Sequence, residues 1–321
     1  MILSVSRRTD VPAFYSTWLM NRLRAGFVYV PNPFNAHQIS KVSLAPADVD
    51  ILVFWTKNPA PLLPRLAELD AMGYRYYFQY TLNPYERDAE PGLPALSSRI
   101  ETFQRLSRAI GREKVVWRYD PIFLSAKYSL DWHEAAFRRL LAALAPYTER
   151  CVISFLDLYK KTARNTKPLA LLPMTPAHME EIAARFSRAA TGSGVDLQSC
   201  SEAIDLDRYG ILHGACIDKE RIERVLDCTI DVKKDPTQRA ECGCMKSVDI
   251  GQYNTCLHLC RYCYANFNEA MARACQKAHD DQSPMLVGTP SPLAKITERK
   301  VEHLKRATKN EAEAPAELAL F

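Results

Sequence analysis

Short runs of apolar, β-branched and aromatic residues alternate along this chain with longer segments that have helical periodicity. The runs predict strands at Ile2–Val5 and at residues 27–30, 51–55, 74–80, 114–119, 152–156, 195–198 and 247–253. Most of them are too uniformly apolar for a sheet with one solvated face, and this is typical of parallel strands that are covered on both faces.

The segments between these runs predict helices at residues 13–24, 61–72, 96–110, 131–145, 176–190 and 268–277. Alternating strands and helices indicate βα units around a parallel sheet, so the expected fold class is α/β. With 321 residues, of which 47% are hydrophobic, the chain can bury one full core. We expect a single domain over residues 1–309, with a solvated terminal helix at 295–309 and a flexible tail at 310–321.

The most informative motif lies near the C-terminal end, where Cys256, Cys260 and Cys263 have C-x3-C-x2-C spacing and Tyr262 precedes the third cysteine. Three thiolates suit a [4Fe-4S] cluster that keeps one iron free of protein ligands, whereas structural zinc normally takes four ligands. Structural zinc and chance spacing are the alternatives. The N-terminus has no signal-peptide pattern, so ten cysteines indicate metal or redox chemistry in a reducing, cytoplasmic setting.

This motif resembles the hallmark of the radical S-adenosylmethionine (radical SAM) superfamily. The resemblance implies a (β/α) barrel of the TIM type and a [4Fe-4S] cluster whose open iron binds S-adenosylmethionine. It also implies reductive cleavage of S-adenosylmethionine to a 5′-deoxyadenosyl radical, which abstracts hydrogen from an unidentified substrate. An electron donor such as flavodoxin or ferredoxin is then expected as a partner.

In that superfamily the cysteine loop follows the first barrel strand, but here it follows the last predicted strand. Because the first and last strands of a barrel are neighbours, we expect a circularly permuted barrel in which residues 247–253 replace the family's first strand and Ile2–Val5 its second. Residues 247–279 would then form the cluster strand, loop and helix. The whole chain also resembles a bacterial family of unknown function that opens with a Ser-Arg-Arg-Thr-Asp segment and closes with such a cysteine cluster.

Polar residues follow nearly every predicted strand, at the end where parallel α/β barrels place their active sites. The residues expected to bind the cofactor or an anionic substrate are Arg7, Arg8, Asp10, Lys57, Arg118 and Asp120. The alternative for Arg118 and Asp120 is an ion pair with each other. No catalytic residue is assigned.

A second group of cysteines precedes the motif, and we expect Cys200, Cys216, Cys242 and Cys244 to converge. Four thiolates would hold either a second [4Fe-4S] cluster or zinc, and unligated core thiols are the third alternative. Residues 200–246 are interpreted as a metal-binding or cap insertion.

Two other functions are consistent with the sequence. The stretch from Cys260 to Ala265 resembles spore photoproduct lyase, which indicates a radical lyase acting on damaged nucleic acid, and a zinc-stabilised binding protein without enzymatic activity is the other alternative. The net charge of +5 is too small to demand a nucleic acid partner. No apolar run approaches the ~18 residues of a membrane span, so no membrane partner is expected.

Overall fold

Eight parallel strands form the main sheet of the protein in a computed structural model. The structure describes residues 1–158 and 160–307, but not the side chains of residues 160, 161 and 305–307. The strands are β1 (Ile2–Val5), β2 (Phe27–Asn32), β3 (Asn35–Ser43), β4 (Ile51–Thr56), β5 (Tyr76–Thr81), β6 (Val115–Ile122), β7 (Arg150–Phe155), β8 (Asp196–Cys200), β9 (Leu212–Gly214), β10 (Thr229–Asp231), β11 (Val248–Asp249), β12 (Lys295–Glu298) and β13 (Lys305–Ala307). The helices are α1 (Val11–Phe14), α2 (Ser16–Ala25), α3 (Leu66–Ala71), α4 (Leu96–Ile110), α5 (Leu130–Leu144), α6 (Lys160–Asn165), α7 (Pro176–Ala190), α8 (Lys219–Leu226) and α9 (Glu269–Lys277).

The strand order in the main sheet is β11-β1-β4-β5-β6-β7-β8-β9. The last strand of the sheet, β11, pairs in parallel with the first, with Leu3 opposite Val248 and Ser4 opposite Asp249. This confirms the predicted adjacency of the two strands. Over the residues described, β11 and β9 lie at opposite edges and are not paired with each other, so the fold is a large parallel α/β sheet whose closure is not shown.

Both faces of the sheet are buried, which explains the uniformly apolar strands. In β4, Leu52 and Phe54 point into the main core, which the helices cover. The alternate residues Ile51 and Val53 point into a second core on the opposite face, which also contains three cysteines of the second group. Successive side chains of a strand point to opposite faces, so both sets must be apolar.

Several expectations about the elements are wrong. The strand predicted at 27–30 is part of β2, which pairs antiparallel with β3 in a separate three-stranded sheet together with β12. Residues 200–246 are not purely an insertion, because β9 within them belongs to the main sheet. Within the predicted helix at 295–309, residues 295–298 form β12, paired with β3, and residues 305–307 form β13, paired with β10, while residues 308 and 309 lie outside the described residues. Residues 310–321, the predicted tail, lie outside the described residues.

In the part of the chain that the structure describes, we find no helix with the length and apolar character needed to cross a membrane.

Candidate functional site

The carboxyl ends of several main-sheet strands open into one cavity of about 1360 Å³. Its lining includes Cys256, Cys260 and Cys263 and all six residues predicted to bind the cofactor, namely Arg7, Arg8, Asp10, Lys57, Arg118 and Asp120. The hairpin formed by β2 and β3 contributes to another wall of the cavity. The structure therefore brings the cysteine motif and the polar strand ends to one place.

The loop that carries the motif follows β11 and is held to the first strand and its helices. The hydroxyl of Tyr15 donates to the carbonyl oxygen of Thr255 at 2.6 Å, and the N–H of Ala265 donates to Cys263 Sγ at 3.3 Å. Burial raises the pKa of Cys256 to about 12, so its thiol stays protonated at neutral pH unless a cation compensates the thiolate. Such N–H···S contacts are among those that stabilise metal-bound thiolates.

Gly92 packs directly against this loop. Its N–H donates to the carbonyl oxygen of His258 at 3.0 Å. A Cβ at this position would lie 2.3 Å from the carbonyl oxygen of Leu257 and 2.8 Å from that of His258. Only glycine fits without displacing the cysteine loop.

Tyr262, the aromatic residue of the motif, is fixed by a buried polar network. Its hydroxyl donates to Glu90 and accepts hydrogen bonds from Lys57 Nζ at 2.9 Å and from Asn83 Nδ2 at 3.3 Å. Lys57 Nζ also lies 2.8 Å from a carboxylate oxygen of Glu90. Burial alone would raise the pKa of Glu90, but the charges of Lys57 and Arg99 outweigh it and leave the pKa below its usual value. Glu90 and Lys57 are thus both charged, and their hydrogen bonds with the hydroxyl of Tyr262 orient the motif.

Asp10 has little hydrogen-bonding capacity left for a ligand. One carboxylate oxygen caps α1 by accepting from the N–H of Ala13 at 3.0 Å. The other accepts from the N–H of Lys57 at 2.6 Å and lies 2.8 Å from His258 Nε2. Asp10 therefore links β1, β4 and the cysteine loop at the cavity wall.

Arg118 and Asp120 form the ion pair that was the alternative expectation for them, with Arg118 Nη2 2.6 Å from Asp120 Oδ2. Burial would raise the pKa of Asp120, but the guanidinium of Arg118 holds it below its usual value.

Arg8 is less constrained than Arg118. Its Nη1 donates to the carbonyl oxygen of Gly251 at 3.3 Å, and its guanidinium lies 5.3 Å from the ring centroid of Tyr253.

The cysteines of the second group lie behind the cavity rather than in its lining, where Cys216, Cys242 and Cys244 belong to the second core and Cys200 packs against it. Cys200 Sγ and Cys216 Sγ are 3.1 Å apart, and the N–H of Ile217, next to Cys216, donates to Cys244 Sγ at 3.5 Å. All four are thiols. Within residues 1–158 and 160–307, however, no group of three or more His, Cys, Asp or Glu side chains is arranged as the ligands of one metal ion.

Sequence reasoning missed two acidic residues that organise the site. Glu90 lies in the loop after β5, where its position in the sequence gives no sign that it pairs with Lys57. Asp249 accepts hydrogen bonds from the hydroxyls of Ser4 and Ser6, and from the N–H of Arg7 at 2.8 Å. An aspartate within a predicted strand of the main sheet is an unusual residue, and that was the available signal.

Residues 2–265 match the model of a family described as a domain of unknown function, DUF1848. The matched segment starts at β1 and ends just beyond the cysteine motif. No curated protein and no solved structure matches the chain.

Proposed function

The chain belongs to the DUF1848 family, and we propose that it is a radical SAM enzyme that generates a 5′-deoxyadenosyl radical and abstracts hydrogen from an unidentified substrate. One observation carries the proposal: the three thiols of the motif and the polar ends of β1, β4 and β6 line a single cavity. The cavity is large enough for a cofactor and a small substrate.

The residues present fit a [4Fe-4S] cluster bound by Cys256, Cys260 and Cys263. A cubane binds each thiolate to a different iron, so its ligands need not converge on the position of one ion, as they must for zinc. A backbone N–H group already donates to the sulfur of Cys263, and the buried Nδ1 of His258 in the same loop has no hydrogen-bond partner. A polar atom left unpaired beside the thiols is consistent with a group that occupies this space when bound.

We further propose that the main sheet is a circularly permuted radical SAM barrel. The parallel pairing of β11 with β1 supports this proposal, because it places the cysteine loop beside the Ser6–Asp10 turn. The loop then follows the strand that precedes β1 in the sheet, as it follows the first strand in unpermuted relatives.

When bound, the cluster and S-adenosylmethionine would supply the electron transfer and the radical. The protein's own residues bind and orient them. Arg8 lines the cavity and can pair with the methionine carboxylate, because among the described residues the carboxylate nearest its guanidinium is Asp249, at 3.9 Å. Lys57 adds a second positive charge at the wall, while Glu90 and Tyr262 fix its position. An electron donor such as flavodoxin or ferredoxin would be required.

The decisive experiment is anaerobic reconstitution with iron and sulfide, followed by dithionite reduction with S-adenosylmethionine and chromatography for 5′-deoxyadenosine. The wild type should form this product. A variant with Cys256, Cys260 and Cys263 all changed to Ala should not, whereas Cys275→Ser, on α9, should retain the activity. Failure of the wild type to produce 5′-deoxyadenosine at full iron content would overturn the proposal.

A further inference from the structure

We infer that Cys200, Cys216, Cys242 and Cys244 form a tetrathiolate site for one zinc ion, placed where the two edges of the main sheet approach each other. Cys200 is the last residue of β8, and Cys216 comes two residues after β9. Cys242 and Cys244 precede β11, the opposite edge strand. The inference does not depend on the proposed radical chemistry, because it uses none of the motif cysteines.

The separation of the thiols favours a single ion over a second cubane. Four sulfurs at about 2.3 Å from zinc in a tetrahedron lie about 3.8 Å from one another. Cys200 Sγ and Cys216 Sγ, 3.1 Å apart, need to separate by less than an ångström to reach that spacing. At 3.1 Å the two sulfurs are closer than two ligands of one zinc ion can be, so the tetrahedral arrangement of ligands is not already formed in this structure. A cubane, which binds each thiolate to a different iron, would require much larger displacements.

The backbone around the thiols is already held in place. The carbonyl oxygen of Cys216 accepts hydrogen bonds from the hydroxyl of Tyr77 at 2.6 Å and from Gln79 Nε2 at 2.8 Å. The N–H of Met245 donates to the carbonyl oxygen of Ile217 at 3.1 Å. The first two contacts hold the segment after β9 on β5, and the third joins it to the segment before β11, so zinc would bind a prepared frame with little loss of chain entropy.

The charges next to the thiols also indicate thiolates. Arg118 Nη1 donates to Cys216 Sγ at 2.9 Å, in the protein interior. Arg7 lies within electrostatic range of Cys216 and Cys244, and its Nη2 is buried without a hydrogen-bond partner. Buried cations require anionic or hydrogen-bonding partners, which four neutral thiols supply poorly. Zinc with four thiolates carries a net charge of −2 and would satisfy both guanidinium groups.

Zinc at this position would connect the ends of β8 and β9 with the segment that leads into β11. It would therefore fix the two edges of the sheet relative to each other and hold Arg7 and Arg118, which also line the cavity, in place. Its binding would release thiol protons and add directly to the free energy of folding.

The test is metal analysis of protein purified anaerobically without added chelator, for the wild type, Cys216→Ser, Cys244→Ser and the triple Cys256, Cys260, Cys263→Ala variant. We expect about one zinc per chain in the wild type and in the triple variant, and loss of zinc in the two serine variants. Cys228→Ser is the matched control, because Cys228 packs against the same core and precedes β10, and it should keep its zinc.

X-ray absorption at the zinc edge of the wild type keeps the inference testable if the serine variants do not fold. Four sulfur neighbours at about 2.3 Å are expected. Mixed nitrogen and sulfur ligands would overturn the inference, and so would a zinc-free wild type. Retention of about four irons in the triple variant would show instead that the second group holds a cluster.

Discussion

The hydroxyl of Ser4 donates a hydrogen bond of 2.7 Å to the carboxylate of Asp249, which lies 245 residues later in the chain. The two residues face each other across the β1–β11 pair. The same carboxylate also accepts from the backbone N–H of Gly251 at 2.9 Å, in the segment that leads to the cysteine loop. One side chain thus joins the first strand of the fold to the strand that leads into the cysteine motif.

Replacing Asp249 by Ala should lower the free energy of unfolding by about 2–4 kcal/mol, because it leaves several partly buried donors unsatisfied. Asp196→Ala is the matched control, since Asp196 also lies in a main-sheet strand but its carboxylate pairs with Arg150 near the surface. The control should cost less than about 1 kcal/mol. Denaturant unfolding of both variants measures the difference, and equal losses would contradict this account of Asp249.

Gly92→Ala should reduce the iron content after reconstitution to about half of the wild-type value or less, without changing any ligand. The added Cβ would overlap the carbonyl oxygens of Leu257 and His258, so the cysteine loop must move. Gly192→Ala provides the comparison, because a Cβ there meets no atom within 4 Å although the backbone has a positive φ of 77°. Iron analysis showing the same content in both variants would mean that the loop tolerates the displacement.

Arg8→Ala should weaken the change that S-adenosylmethionine causes in the electron paramagnetic resonance spectrum of the reduced cluster, at nearly unchanged iron content. Loss of one charge-assisted hydrogen bond corresponds to about a 10- to 100-fold loss of affinity. Asp10→Ala should behave differently and lower the iron content itself, because Asp10 holds His258 and the N–H of Lys57. Titration of the spectrum with S-adenosylmethionine measures the first effect. A normal response in Arg8→Ala would exclude this residue as a carboxylate partner.

His133 should contribute to acid sensitivity. Burial lowers its pKa to about 4 in the folded protein, where its Nδ1 lies 2.8 Å from the hydroxyl of Tyr119. The unfolded state takes up a proton near pH 6.5, so stability is lost as the pH falls from about 6.5 towards 4. This one group should cost about 2 kcal/mol between pH 7 and pH 5.

The measurement is urea unfolding of the wild type and His133→Gln at both pH values. The carboxyl groups titrate in both proteins, so the difference between the two pH dependences isolates His133. Identical pH dependences would show that His133 takes up its proton without loss of the fold.

The sequence was sufficient for most of the main sheet because strands covered on both faces have a strong local signal. Residues 51–55 are apolar whichever face they point to, and residues 115–117 continue the same pattern before Arg118; both runs are strands of that sheet. Local pattern does not specify the partner of a strand, so the strand predicted at 27–30 was assigned to the wrong sheet. The three residues of β9 are too few to show any periodicity.

The candidate site, like the fold, could be predicted from the sequence only in part. Strand ends and cysteine spacing predicted which residues meet at the cavity, because parallel strands deliver their carboxyl ends to one edge. What each residue contacts there depends on loops from distant parts of the chain. Glu90 contacts Lys57 and Tyr262 from the loop after β5, and these contacts fix two side chains that the sequence analysis had singled out.

The position of β11 has a consequence for the chain as it leaves the ribosome. The other neighbour of β1, β4, is complete at Thr56, but β11 is synthesised roughly 190 residues later, which takes about 10–40 seconds at typical translation rates. Throughout that interval one edge of β1 has no strand to pair with, and an unpaired edge is open to association with other chains. The motif cysteines are synthesised after every strand of the main sheet, so the cavity that they line can be completed only when almost all of the fold has been made.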